Sequence, residues 1–313
     1  MALVLALAGG LVFWTSHRPP RIARLLPEAD AILYANLKPA RLATHFDRSA
    51  PARSPEFQAF VDASGIVPER DLDEVAFALT RRADPAGPNG PVAFTEVFQG
   101  RFDPSRLREY LAGQAGSQEG YAGHPIYVLS TGDPGSREPR VLRVTILEPG
   151  EIAASNAPTA EQIHNVIDRS RAGFMGASTP SLLADRFPEI PALASAWGVG
   201  SLGLPFAENG HVNLLGLDLP LPADQPMVAS LRFLGVLRLR VTAIAPSPEL
   251  AMQQAGALTG LLGLLRSLGA NPAAANPQIS ATLTSISVSQ TGARTVITAD
   301  LPVDLLRQIA SSR

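Results

Sequence analysis

Val141–Pro158, VLRVTILEPGEIAASNAP, is the stretch from which the fold class of this chain is read. Val141–Leu147 and Glu151–Ala154 are aliphatic runs rich in β-branched residues. Glu148-Pro149-Gly150 between them is turn chemistry, so the two runs read as a hairpin. Asn156-Ala157-Pro158 then has the composition of a helix opening, and Ile163, Val166 and Ile167 recur at the spacing of one helical face. A hairpin running into a helix predicts antiparallel sheet with a helix packed on it, an α+β arrangement.

The same order recurs on either side. Ala31–Leu37 reads as a strand before Lys38-Pro39 and a helix over Ala40–Phe46. Val92–Gln99 reads as a strand before Asp103-Pro104 and a helix with Leu107, Tyr110 and Leu111 on one face. Ala281–Ser289 and Arg294–Ala299 flank Thr291-Gly292, and Asp300-Leu301-Pro302 opens a helix carrying Leu305, Leu306 and Ile309. A looser copy runs from Val236–Ala245 through Pro246-Ser247-Pro248 into a helix ending near Leu268, the second arm of a hairpin over Met227–Ala245. The expectation is two similar units of antiparallel sheet with helices packed on one face, after an N-terminal hydrophobic helix. The corresponding division is an anchor and basic linker (1–24), a first α+β unit (25–171), a proline-rich helical bridge (172–195) and a second α+β unit (196–313). Residues 84–91, 131–139 and 220–226 read as loops.

Ala2–Trp14 carries no charged side chain, and His17, Arg18, Arg21 and Arg24 follow it. Thirteen helical residues cover about 20 Å of a hydrocarbon core about 30 Å thick. The stretch is therefore near the length of a signal-peptide apolar region. No cleavage site stands at Trp14–Arg18, and the arginines oppose the positive-inside tendency for an exported body. A basic leader upstream of Met1 would resolve both defects. The reading taken is an uncleaved membrane anchor with the body exported to the periplasm. A cleaved signal, a cytoplasmic body and a buried core helix are the alternatives.

The 313 residues are 46% hydrophobic and 17% charged with a net charge of −2, a globular composition without the basic surface that nucleic-acid binding needs. There is no cysteine, which removes disulfides, thiolate nucleophiles and cysteine-held metals together. Gly198-Val199-Gly200-Ser201-Leu202-Gly203 has the letters GxGxxG, but a dinucleotide site needs them between a strand and a helix. The sequence predicts a helix before them and Leu204-Pro205 follows, so tight turns or close packing are expected instead. His17, His45, His124, His164 and His211 share no metal-ligand spacing, and His164 reads as a partly buried packing residue. Glu69, Asp71, Asp73 and Glu74 read as a solvated acidic face. Neither a GxSxG elbow nor an SxxK pair is present. No catalytic, cofactor-binding or metal-binding residues and no cofactor are therefore assigned. Gly256 and Gly260, in Ala255–Leu265, are spaced to let a helix pack closely, and a groove for a lipid-like ligand beneath that helix is the alternative reading.

Leu25–Arg41 (LLPEADAILYANLKPAR), Ser54–Leu79, Glu96–Leu111 (EVFQGRFDPSRLREYL), Ile146–Pro158 and Val228–Gly235 (VASLRFLG) resemble a group of uncharacterised acidobacterial envelope-associated proteins. That resemblance implies a short N-terminal hydrophobic segment, an α+β body and a place in the cell envelope, with no activity to transfer. The expected function is a non-enzymatic, membrane-anchored protein binding or scaffolding an envelope component. A carrier or sensor of a lipid-like apolar ligand is the first alternative, and a hydrolase with a non-sequential site the second.

Overall fold

The computed structural model describes residues 18–48, 53–84, 90–130, 140–176, 178–202, 207–208, 211–214, 217–219, 224–233, 236–269 and 282–301. The hydrophobic stretch at residues 1–16 lies outside them. The chain divides into two compact units, one of residues 1–38 and 53–193, the other of residues 39–52 and 194–313. The fold is α+β, with antiparallel sheet and helices in both units.

In the first unit the strands are β1 (Ala31–Asn36), β2 (Leu72–Arg81), β3 (Val92–Gly100), β4 (Ser117–Tyr121), β5 (His124–Ser130), β6 (Val141–Glu148) and β7 (Glu151–Ser155). They lie in the order β1-β2-β3-β7-β6-β5-β4, every paired neighbour antiparallel. The helices are α1 (Arg21–Leu25), α2 (Lys38–Thr44), which crosses from the first unit into the second, α3 (Pro55–Ser64), α4 (Pro68–Asp71), α5 (Pro104–Gln114), α6 (Glu161–Gly176) and α7 (Ser181–Arg186).

The β6–β7 hairpin forms where the sequence places it. Gly150 takes φ 84°, and a Cβ there would lie 2.5 Å from the Gly100 carbonyl oxygen, whose amide donates to the Gly150 carbonyl at 2.9 Å. Only glycine meets both conditions. Arg21 pairs with Glu148 at 2.9 Å and with Glu151, one carboxylate on each side of the turn. The basic segment is thus part of the packed unit, and α1 buries Ile22, Ala23 and Leu25.

Alternation along the strands sorts the sheet into two unlike faces. Ile32, Ala76, Ala78, Thr95, Val97, Ala153, Thr145 and Ile126 share one face by register, and all are buried. Their small side chains let α1 lie on β1, β2 and β3, and let α6, with Ile163, Val166 and Ile167 fully buried, lie on β6 and β7. The opposite face carries Tyr127, Val144, Ile146 and Ala154, packed with Ile66 and with Leu107 and Leu111 of α5, while Phe60 of α3 borders the cluster. Helices therefore cover both faces, not one. The strands are apolar at successive positions, which buries a sheet on both sides.

Helix starts follow their caps. Asp103 accepts from the amides of Ser105 and Arg106 at 2.9 and 3.3 Å and opens α5, and Ser54 opens α3 by accepting from Phe57 at 3.2 Å. Asn156 does not open α6. Its side-chain oxygen accepts from the Phe94 amide at 2.7 Å, extending the β3–β7 pairing, and α6 begins at Glu161. The β4–β5 hairpin, absent from the sequence reading, turns on Ala122 and Gly123 at φ 50° and 86°. Two positive φ values make a turn for which Asn-Gly is the usual signal, and alanine hides it.

In the second unit β8 (Ala196–Gly200), β12 (Met227–Phe233), β13 (Leu237–Ile244), β14 (Ser287–Thr291) and β15 (Arg294–Leu301) follow the order β14-β15-β13-β12-β8. The short strands β9 (Ala207–Glu208), β10 (His211–Leu214) and β11 (Leu217–Leu219) make a separate sheet. Helix α8 (Pro248–Gly269) packs on β14 and β15, tied by Thr295, whose hydroxyl donates to the Ala251 carbonyl at 2.9 Å. The strand expected from residue 281 starts at Ser287. Residues 282–285 are helical, and the Ser285 hydroxyl accepts from the Asp300 amide at 3.0 Å and donates to the Thr282 carbonyl at 2.8 Å. The helix expected after Pro302 lies outside the described residues.

Candidate functional site

Strand β3 reads Val-Ala-Phe-Thr-Glu-Val-Phe-Gln-Gly, so Phe94, Glu96 and Phe98 point to one side. Register places Phe77 of β2 and Ala154 of β7 directly beside Glu96, and Leu33 of β1 beside Phe77. Phe98 is paired with Val75 and meets the Phe77 ring edge-on at 6.0 Å. This is the face that α3 and α5 cover over β5, β6 and β7. Over β1, β2 and β3 it differs: Ala31 and Leu79 at one end are buried, but Leu33, Val75, Phe77, Phe94, Glu96 and Phe98 are each only half-buried. Among the described residues the Glu96 carboxyl has no hydrogen-bond or ionic partner. Burial among these apolar side chains pushes it up from 4.5 to about 7, because little solvent remains to stabilise the charge. Near pH 7 the group is divided between the acid, which donates and accepts hydrogen bonds, and the carboxylate, which only accepts. Its neighbours across the ladder are hydrocarbon.

A second cluster forms where the β4–β5 hairpin meets α6. The Tyr121 ring stacks on His164 at 3.8 Å, nearly parallel at 9°, and its hydroxyl donates to Asp168 at 2.8 Å. The bond to Asp168 holds the phenol above its ordinary range, with burial a smaller cause, so Tyr121 is a hydrogen-bond donor and not a base. His124 lies 3.2 Å from the Ile146 carbonyl through Nδ1. An open depression of about 540 Å³ is lined by Gln118, Tyr121, His124 and their neighbours in the hairpin.

The residues singled out in the sequence are dispersed. Gly198 and Gly200 are buried in β8, paired with Ala229 and Met227, so the GxGxxG letters begin inside a strand; Gly203 lies outside the described residues. The expected preceding helix is that strand. His45 is exposed at the end of α2, His211 is on β10 and His17 is outside the described residues. Among the described residues no three histidine or carboxylate groups are placed to hold a metal. His164 is the half-buried packing residue expected.

The acidic run is paired off, not solvated. Glu69 meets Arg53 at 2.7 Å, Asp73 meets Lys38 at 3.7 Å, and Glu74 accepts from the Tyr34 hydroxyl at 3.0 Å. Asp71, 5% exposed, accepts from Arg70 at 2.7 and 2.8 Å and from the Val67 amide at 2.8 Å. Burial alone would raise the Asp71 carboxyl, but these bonds outweigh it and hold the group below its ordinary range. Gly256, Gly260 and Gly263 also differ from expectation: a Cβ at any of them would meet nothing within 4 Å. The buried side of α8 is Ala251 and Leu262, so the glycines are not its packing stripe.

Glu96, Tyr121 and Asp168 are not among the residues that sequence motifs single out. Period-two alternation in β3 was the available signal for Glu96, a carboxyl among phenylalanines. Tyr121 and Asp168 are brought together only by the tertiary fold.

No family model matches this chain, and no curated protein matches it. Among solved structures it is similar to crystal form III of TP0453, at 12% identity and a TM-score of 0.47 over 95% of this chain and 99% of that one. Crystal form I of TP0453 is similar at 12% identity and a TM-score of 0.45, over 94% and 98% of the two chains.

Proposed function

We propose that this chain is a non-catalytic envelope protein that binds an apolar ligand on the half-buried sheet face of its first unit. One observation carries the reading. Leu33, Val75, Phe77, Phe94 and Phe98 lie half-buried side by side on the face over β1–β3, next to the buried Ala31 and Leu79 and beyond the cluster that α5 covers over β5–β7. Large apolar side chains that stay part-hydrated gain about 25 cal/mol per Å² when a ligand completes their burial. The polar group among them is one carboxyl, a set suited to holding a ligand and without an adjacent nucleophile.

In the same proposal Met1–Ser16 anchors the protein in the inner membrane and the body lies in the periplasm. The apolar run of Ala2–Trp14 and the resemblance to acidobacterial envelope-associated proteins support that placement. Among the described residues no helix is long and apolar enough to cross a membrane.

Binding is tested with a neutral apolar fluorophore. Its emission rises on adding the wild-type protein, and Phe77→Asp together with Phe98→Asp weakens the effect about tenfold or more. Unchanged dye binding in the double variant removes the sheet face as the site. A second reading, docking of an envelope partner on α8, is favoured by the exposure of Leu250, Met252 and Leu264 on a helix uncharged between Glu249 and Arg266. Cross-linking from Met252 in intact envelopes distinguishes it.

A further inference from the structure

We propose that Glu96 is the polar anchor of this face and selects amphiphiles that carry an ammonium group on an aliphatic chain. The inference rests on the reading of the face as a ligand site and adds the chemistry of the head group.

Phe77 and Ala154 flank the Glu96 carboxyl across the ladder, and Phe94 and Phe98 flank it along the strand. Its register neighbours thus supply no donor, and it has no partner among the described residues. A half-buried carboxyl without a partner gains most from a donor that also carries opposite charge, since charge-assisted hydrogen bonds are about twice as strong as neutral ones. An aliphatic chain on that donor would lie along the phenylalanines, burying the same surface that makes the carboxyl poorly hydrated. A fatty acid offers the wrong charge once Glu96 ionises, and an alcohol offers only a neutral bond.

Among the described residues, no other charged side chain stands next to Glu96 in the strand register. On β2 the charges of this face are Asp73 and Arg81, at its two ends, and Asp73 already pairs with Lys38 at 3.7 Å. On β1 and β7 the same-face positions are Ala31, Leu33, Ala35, Ile152 and Ala154, none of them titratable. Arg106 of α5 is engaged by the Asp62 and Ala63 carbonyls. A cation bound here therefore answers chiefly to Glu96. Because that carboxyl ionises near pH 7, the preference for ammonium strengthens as pH rises through that value and fades below it.

The test displaces a neutral apolar fluorophore from the full chain, held soluble in an amphipathic polymer, with dodecylammonium, dodecanol or dodecanoate below their micellar concentrations. Alkylammonium stays charged across the range, as a lysine with its pKa of about 10.4 does. At pH 8.5 dodecylammonium is expected to displace the dye at about one-tenth the concentration of dodecanol. At pH 5.5 the two should be nearly equal, and Glu96→Gln should make them equal at both values. Equal potency of the two in wild type at pH 8.5, or an ammonium preference that survives Glu96→Gln, overturns selection by Glu96 while leaving apolar binding in place. Failure of all three ligands to displace the dye overturns the binding face itself. The wild-type pH series decides the matter if the variant does not fold.

Discussion

Glu96 is the residue at which folding and binding pull in different directions. In the unfolded chain its carboxyl ionises near 4.5, and in the folded unit near 7. The folded state therefore holds the proton to higher pH, and the stability this group contributes is full below pH 4.5 and lost as pH rises through about 7. The shift corresponds to an energy on the order of 3 kcal/mol. Glu96→Gln should accordingly leave stability nearly unchanged at pH 4 and raise it by up to that order at pH 8, as read from urea unfolding at both values. Arg21 is the opposite case. Glu151 is 3% exposed and rests on the half-exposed Arg21 guanidinium, so Arg21→Ala leaves a buried carboxylate without its cation. A loss on the order of 2 kcal/mol is expected, reduced from the fully buried case by solvent at the arginine. Gly150→Ala should cost at least about 1 kcal/mol, because the residue needs both positive φ and the space beside the Gly100 carbonyl.

Among the elements, α8 gives the sharpest contrast between spacing and packing. Gly256 and Gly260 have the separation that allows close helix contact, which predicts that added methyl groups would be destabilising. Both point into open space. Gly256→Ala and Gly260→Ala should instead each raise stability by up to about 1 kcal/mol through helix propensity alone, measured by thermal or urea unfolding. The α5 helix behaves as its sequence says, with Asp103 capping and Leu107 and Leu111 buried. Asp103→Ala should cost about 1 kcal/mol. The contrast has a physical origin. A cap is a contact between neighbours three residues apart, so its letters carry its geometry. The side of a helix that meets a sheet is set by the sheet, and glycine spacing alone does not reveal it. The β4–β5 hairpin was illegible for a related reason: Ala122 adopts a positive φ that surrounding strand pairing imposes, against its own preference.

At the scale of the whole molecule, fractionation tests the proposed location. A body that resists added protease until the outer layers are opened supports the periplasmic placement, and a purely cytosolic distribution removes it. The sequence by itself determined the α+β class, the β6–β7 hairpin, most strand positions and the caps of α3 and α5, because period-two alternation, turn chemistry and caps act over a few residues. It also determined the absence of thiol chemistry, since there is no cysteine. The tertiary structure alone decided that helices cover both faces of the first unit's sheet, with alanine, threonine and valine admitting α1 and α6 closely on one side. It paired the acidic run one residue at a time with Arg53, Arg70, Lys38 and Tyr34. Among the described residues it also left Glu96 without a partner, on a face of phenylalanines. Those outcomes depend on which distant strand lies alongside, and register across a sheet is fixed by the packing of the whole unit, not by the residues on either side of it in the chain.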